Sequence, residues 1–119
     1  MTNKPIFIFA FVAAALSVAL GAFAAHALEN VLTIKQHKTF ETAARYQMYH
    51  SLALAFVGIL IQTKQNKIIK LAATFFMIGI VIFCGSLYLI TLLQVKGINS
   101  LNIIGAITPI GGLCFITGW

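Results

Sequence analysis

Of the 119 residues 61% are hydrophobic and 8% are charged, with eight Lys or Arg against two Asp or Glu and a formal net charge of +6. A water-soluble domain of this size needs many more surface charges, so the composition excludes an ordinary soluble enzyme or binding module. The basic residues are scattered over short stretches and never interleave with aromatics in a broad patch, which excludes a nucleic-acid surface and points to anionic headgroups.

Residues 5–25, 46–63, 71–95 and 97–119 contain no Asp, Glu, Lys or Arg. Roughly 20 apolar residues cross a bilayer as a helix, and each window reaches or approaches that length. Backbone groups find no water in hydrocarbon, so a spanning chain is helical or a closed barrel. None of the windows alternates polar with apolar residues as barrel strands do. The expected fold class is therefore an all-α integral membrane protein, a single domain built as a compact bundle of four transmembrane helices over about residues 5–25, 34–62, 70–93 and 101–119.

Helix one starts at Pro5, a residue suited to a first turn. Ala13, Ser17, Gly21 and Ala25 recur every four residues, a small-residue face on which another helix is expected to pack closely. Lys4 before an apolar run, with small residues at 22 and 24, also matches a secretory signal. The uncharged run is longer than a usual signal core, so the segment reads as a retained helix.

The stretch 26–45 is the longest polar region, and Thr33 with Gln36 forms a capping-box pattern that starts helix two. Glu41 and Arg45 are spaced for a helical ion pair. Tyr46, Gln47, Tyr49, His50 and Ser51 follow before the helix turns uniformly apolar at 52–61. A turn with Lys64, Lys67 and Lys70 leads into helix three, where Gly79, Cys84, Gly85 and Ser86 make a small-residue patch near Tyr88. The expectation is that Gly21→Leu and Gly85→Leu disrupt folding or assembly more than Val81→Leu. Residues 94–100 connect to helix four, where Pro109 cannot donate to the Gly105 carbonyl and is expected to kink the helix, with Gly105, Gly111 and Gly112 at packing contacts. Trp119 suits the headgroup level. Helix four is short at that point, and a few further residues are expected beyond it.

Cys84 and Cys114 both lie in apolar windows and read as small buried side chains, with no disulfide framework. Lys and Arg divide evenly between the two sides of the four-span layout. The concentration of three lysines in the short middle loop tips the expected orientation to N-in, C-in.

The segments 21–28 (GAFAAHAL), 42–54 (TAARYQMYHSLAL), 83–88 (FCGSLY) and 105–112 (GAITPIGG), with a closing Gly118 and Trp119, carry a resemblance. On these blocks, spaced over nearly the whole chain, the protein resembles the small bacterial inner-membrane proteins of a domain family of unknown function related to transmembrane protein 256. The resemblance implies a four-helix protein of the bacterial inner membrane and no established activity. Ala24 and Ala27 stand where the family often has glycine, which implies a slightly looser helix contact.

Histidine is the most suggestive residue type. If helices one and two are antiparallel neighbours, His26 is expected to approach a polar face formed by Glu41, Thr42, Arg45, Tyr46, Tyr49 and His50. One reading makes this a hydrogen-bonded network that pins helix ends, since polar groups near lipid need partners. Another makes it a ligand or transport site, joined by Ser86, Tyr88, Thr108 and the Pro109 bend, for a headgroup, a quinone-like ring or a small ion.

Catalysis has no motif behind it. His26, His37 and Glu41 lack metal-ligand spacing, Ser51 and Ser86 lack a nucleophile elbow, and no phosphate loop is present. The expected protein is not an enzyme, carries no cofactor or metal, and acts as a small membrane scaffold or accessory protein through lipids, other membrane proteins or a second copy of itself. An oligomeric conduit for a small solute or ion is the alternative, since one chain of four helices lacks the duplicated halves of a transporter.

Overall fold

The computed structural model describes residues 3–98 and 101–119. Asn99 and Ser100, the last two residues of the expected connection at 94–100, lie outside the described residues, as do Met1 and Thr2. The described chain forms four helices and no strand.

α1 (Lys4–His26) has Pro5 in its first turn. Asn3 precedes it, and its side-chain amide donates to the Gly58 carbonyl of the next helix (3.1 Å) rather than capping its own. α2 (Ile34–Thr63) opens on a reciprocal capping box: the Gln36 N–H donates to Thr33 Oγ1 and the Thr33 N–H to Gln36 Oε1. These bonds satisfy amides that a helix start would leave bare. α3 (Lys67–Val95) is capped by Asn66, whose Oδ1 accepts from Ile68 N–H at 2.8 Å. It contains one wider π turn at Ile80–Cys84. Its end is closed by Gly97 at φ +82°, with Ile98 N–H returning to the Leu93 carbonyl, a cap that favours glycine. α4 (Asn102–Gly118) runs as one helix through Pro109, which is exposed. The proline removes one hydrogen bond from the turn above Gly105 without ending the helix.

The helices pack in chain order, α2 between α1 and α3, and α3 between α2 and α4, giving a flattened slab of 48 × 28 × 17 Å. The main core gathers Ala10, Leu54, Ile61, Phe76, Cys84 and Phe115 from all four helices. A smaller one folds the connection after α1 back through Leu28 and Leu32 onto Ala24 and Phe40. Outside these cores large apolar side chains face outwards, among them Val18 at 62%, Leu113 at 62% and Ile116 at 72% exposure. Apolar surface on that scale is the surface of a membrane protein.

Two of the four helices, α1 with 23 residues and α3 with 29, are long and apolar enough to cross a bilayer. α2 has 30 residues but starts with a polar third, and α4 has 17, a little short of a full span.

The small residues divide sharply. α3 and α4 are antiparallel and exchange rings for glycines. The Phe76 ring covers Gly118, the Phe115 ring covers Gly79, and the Phe83 backbone lies on Gly111, so a methyl group at any of the three would overlap its neighbour. Gly112 has ordinary contact with the Phe83 ring at 3.8 Å. Gly21, Gly85 and Gly105 have nothing within 4 Å of such a methyl, which corrects the packing role expected of them. On α1 a four-residue repeat drifts about 40° per step against a 3.6-residue turn. Ala13 and Ser17 are accordingly buried, whereas Ala25 is exposed and Ala24 takes its place. Gly85 precedes Ser86, the residue that faces α4, and so points about 100° away from it.

Candidate functional site

The inner face of α2 repeats as Phe40, Ala43, Gln47, His50, Leu54, Val57 and Ile61, all buried. Steps of three and four residues make one helical stripe. Gln47 and His50 are its polar members, and each draws partners from other helices.

Gln47 is 5% exposed. Its Nε2 donates to the Ala13 carbonyl of α1 (2.7 Å), and its Oε1 accepts from the Tyr88 hydroxyl of α3 (2.7 Å). One amide thus ties three helices. The Tyr88 ring in turn packs edge-on against Phe40, with centroids 4.9 Å apart. Ser51 returns its hydroxyl to the Gln47 carbonyl (2.6 Å), a local bond that satisfies a polar group where no water is at hand.

His50 is 6% exposed. The indole Nε1–H of Trp119 donates to its Nε2 (3.2 Å), and its Nδ1 lies 2.7 Å from the Tyr46 carbonyl. An indole nitrogen can only donate, so Nε2 is the acceptor. The imidazole proton is therefore on Nδ1, where it donates to Tyr46 O. Both ring nitrogens are used. The imidazole also lies flat on Phe115, with centroids 3.5 Å apart and planes 11° apart, and Phe76 and Trp119 close its edges. Tyr46 stacks on Phe83 at 5.2 Å. The rings of Tyr46, His50, Phe83, Phe115 and Trp119, with Tyr49, Gly112 and Ile116, line a groove of about 680 Å³ between α2 and α4 that opens sideways.

The structure separates the other expected members of the polar cluster. α1 and α2 are antiparallel, but the short connection between them sets His26 beside the start of α2, about 24 Å along the helix from the level of His50, and leaves it exposed. Glu41 and Arg45 are exposed on the opposite face of α2 from His50. Thr42 bonds the Lys38 carbonyl of its own helix (2.8 Å). Thr108 pairs with Ser86 across α3 and α4 (2.6 Å), about two turns of α4 from Phe115, with Pro109 on the outside. Tyr88 belongs with Gln47. The expected single cluster is thus three separate polar contacts.

Sequence reading left Gln47, Asn3, Phe83, Phe115 and Trp119 outside the candidate site. For Gln47 a signal was present, a polar residue in the stripe that otherwise carries Phe40, Ala43 and Leu54. The aromatic partners from α3 and α4 lie far away in sequence and carried none. Among the described residues no group of three or more His, Cys, Asp or Glu is placed to hold a metal ion. Cys84 is buried and Cys114 half-buried, both as free thiols.

A family model described as a protein of unknown function, DUF423, matches residues 20–112. The UPF0382 membrane protein of Staphylococcus haemolyticus is 44% identical over 104 residues, which are 87% of this chain and 80% of that protein. A UPF0382 membrane protein of Bacillus subtilis is 41% identical over 108 residues, 89% of this chain and 82% of its own. The UPF0382 inner membrane protein of Escherichia coli is 32% identical over 119 residues, the whole of this chain and 86% of its own. No solved structure matches.

Proposed function

We infer that this chain, which belongs to the DUF423 (UPF0382) family of small bacterial membrane proteins of unknown function, crosses the inner membrane four times and serves there as a scaffold or accessory protein. It acts through lipid and protein contacts and catalyses no reaction. The observation that carries this reading is how the interior polar groups are spent. Asn3, Gln47, His50, Ser86, Tyr88 and Thr108 bond across helices. Such bonds fix helix positions, and they leave no polar lining for a solute path. Three of the hollows along the helices, one of them the groove beside His50, are mainly apolar and open to the side, where lipid chains would lie.

The orientation is N-in, C-in, with Lys64, Lys67 and Lys70 in the cytoplasm. Cysteine labelling at position 67 in intact cells tests it, and modification from the outer face overturns it. Reconstituted vesicles test the role: they are expected to show no more ion or small-solute flux than empty ones. Flux that scales with protein content would replace the scaffold with the conduit.

A second reading has one observation behind it, the ring-lined groove between α2 and α4. Its stacked aromatic surfaces fit a planar membrane-soluble ring such as a quinone. A bound quinone in extracts of the purified protein, lost on Tyr49→Ala, would favour it.

A further inference from the structure

The outer face of α2 carries a charge problem that the fold of one chain leaves unsolved. Glu41, Arg45, Leu52, Phe56 and Ile59 fall on one helical stripe, opposite the buried one, and all five are exposed. Gln47 bonds the carbonyl of Ala13 and Asn3 that of Gly58, so the antiparallel register sets Arg45 level with about Ala15. Ala15 is the middle residue of α1, eleven residues from either end. On the other side the Tyr46 ring lies on Phe83, in the middle of the uncharged stretch of α3, and Phe83 in turn lies on Gly111 in the middle of α4. By these contacts the Arg45 side chain stems from mid-height of the helical slab, with Glu41 one turn nearer the end. An ionised group facing hydrocarbon at that depth is costly, and ionisable residues within a membrane almost always face protein or a cavity.

We propose that this stripe is the interface of a twofold homodimer, in which Glu41 of each copy pairs with Arg45 of the other. The inference rests on α2 crossing the membrane, as proposed above. Acid and base lie on the same stripe one turn apart; an axis parallel to the helices sets like residues level, and the long Arg45 side chain, leaning towards the N-terminus of its helix, crosses the seam to the partner's Glu41 one turn along, once in each direction, as an isologous contact requires. The stripe continues below them in Leu52, Phe56 and Ile59, which supply apolar contact along the rest of the seam. A partner of different sequence would need its own matched acid and base; a second copy has both.

Two differently tagged chains, Glu41→Arg and Arg45→Glu, are co-expressed and the dimers captured from native nanodiscs. The mixed dimer has an opposite-charge pair at both crossings, and each homodimer has like charges at both. The mixed dimer is expected about tenfold above either homodimer, a preference worth a modest difference in pair energy. A pairing confined within one chain gives statistical mixing, which overturns the proposal. In a Cys84→Ala/Cys114→Ala background, Leu52→Cys is expected to cross-link between copies in the membrane and Ile103→Cys, on the outside of α4, to remain monomeric. The reverse pattern, or a wild type that is monomeric by single-molecule photobleaching, also overturns it. Arg45→Cys in the same background, in nanodiscs where both membrane faces meet the reagent, separates the premise: modification by a membrane-impermeant maleimide as fast as Lys67→Cys would remove the spanning α2, and the dimer with it.

Discussion

The seam between α1 and α2 and the seam between α3 and α4 both bring helices close, by different means. Along α1 and α2 small buried residues, Ala10, Ala13 and Ser17 on one side and Ala43 on the other, share the contact with a single ring on glycine, Phe7 on Gly58, and two amides, Asn3 and Gln47, reach backbone carbonyls of the neighbouring helix. Along α3 and α4 glycines receive phenylalanines, alternately in each direction, and one hydroxyl pair is the polar contact. In lipid, where apolar side chains gain little by leaving the solvent, both rely on close packing and a few hydrogen bonds. A glycine marks a contact only where the register delivers a ring or a backbone to it.

The largest effect that would break this comparison is expected at Gly111. An alanine methyl there overlaps the backbone of Phe83, which cannot swing aside as a side chain can. Gly111→Ala should cost about 3 kcal/mol or more, at the upper end of overpacking. Gly21→Ala and Gly85→Ala meet open space and should lie within about 0.5 kcal/mol of wild type or gain slightly from helix propensity. Unfolding in mixed micelles measures all three. Equal losses at Gly21 and Gly111 would mean that the glycines act through the backbone and not through the seam.

His50, where α2 meets both α3 and α4, comes next. His50→Ala removes the stack on Phe115, empties the space beside it and strands the Trp119 indole N–H. A loss of about 2 to 3 kcal/mol is expected, combining a cavity and a lost polar bond. His50→Gln retains bonding capacity and should lose less. A loss below about 0.5 kcal/mol in both would deny the imidazole its architectural part.

On the α1 and α2 side the corresponding change is Gln47→Leu, which removes two bonds and leaves the Tyr88 hydroxyl without its acceptor. About 1 to 2 kcal/mol is expected, since hydrogen bonds inside membrane proteins average well under 1 kcal/mol each. Tyr88→Phe strands the Gln47 carbonyl in the same way. The double variant should lose less than the sum, and strict additivity in the cycle would show the two groups to be independent.

Local signals were legible in the sequence and relative placement was not. The Thr33 and Gln36 pair is a short-range device, and the structure has it. The lines of small residues pointed to close helix contacts but mislocated them, because a repeat of four leaves the contact face within three turns and because Gly85 lies one residue off the face that Ser86 shares with α4. The expected polar cluster is too large for a related reason. Nearness in sequence puts Glu41, Arg45 and His50 together, while 100° per residue sends Glu41 and Arg45 to one side of α2 and His50 to the other. The ring stack around His50 depends on the register of α2, α3 and α4 together, which no local pattern carries.

The smallest expected effect sharpens the account of His50. Trp119→Phe deletes the one donor to Nε2 and keeps a ring that can still meet Phe76 edge-on, as the indole does at 5.3 Å and 72°. Trp119 is 77% exposed, so little packing is at stake beyond that edge. The loss should be one neutral hydrogen bond, about 0.5 to 1 kcal/mol. The tautomer should not change, because the shorter bond, from Nδ1–H to the Tyr46 carbonyl at 2.7 Å, is made within α2 and survives the substitution. Nitrogen-15 spectra of the labelled imidazole read this directly: the proton stays on Nδ1 and the Nε2 resonance moves towards that of a free acceptor. A proton found on Nε2 in the variant would mean that the indole, and not the helix backbone, sets the tautomer. His50 would then be held from α4, and its contribution would belong to the α3 and α4 side of the molecule.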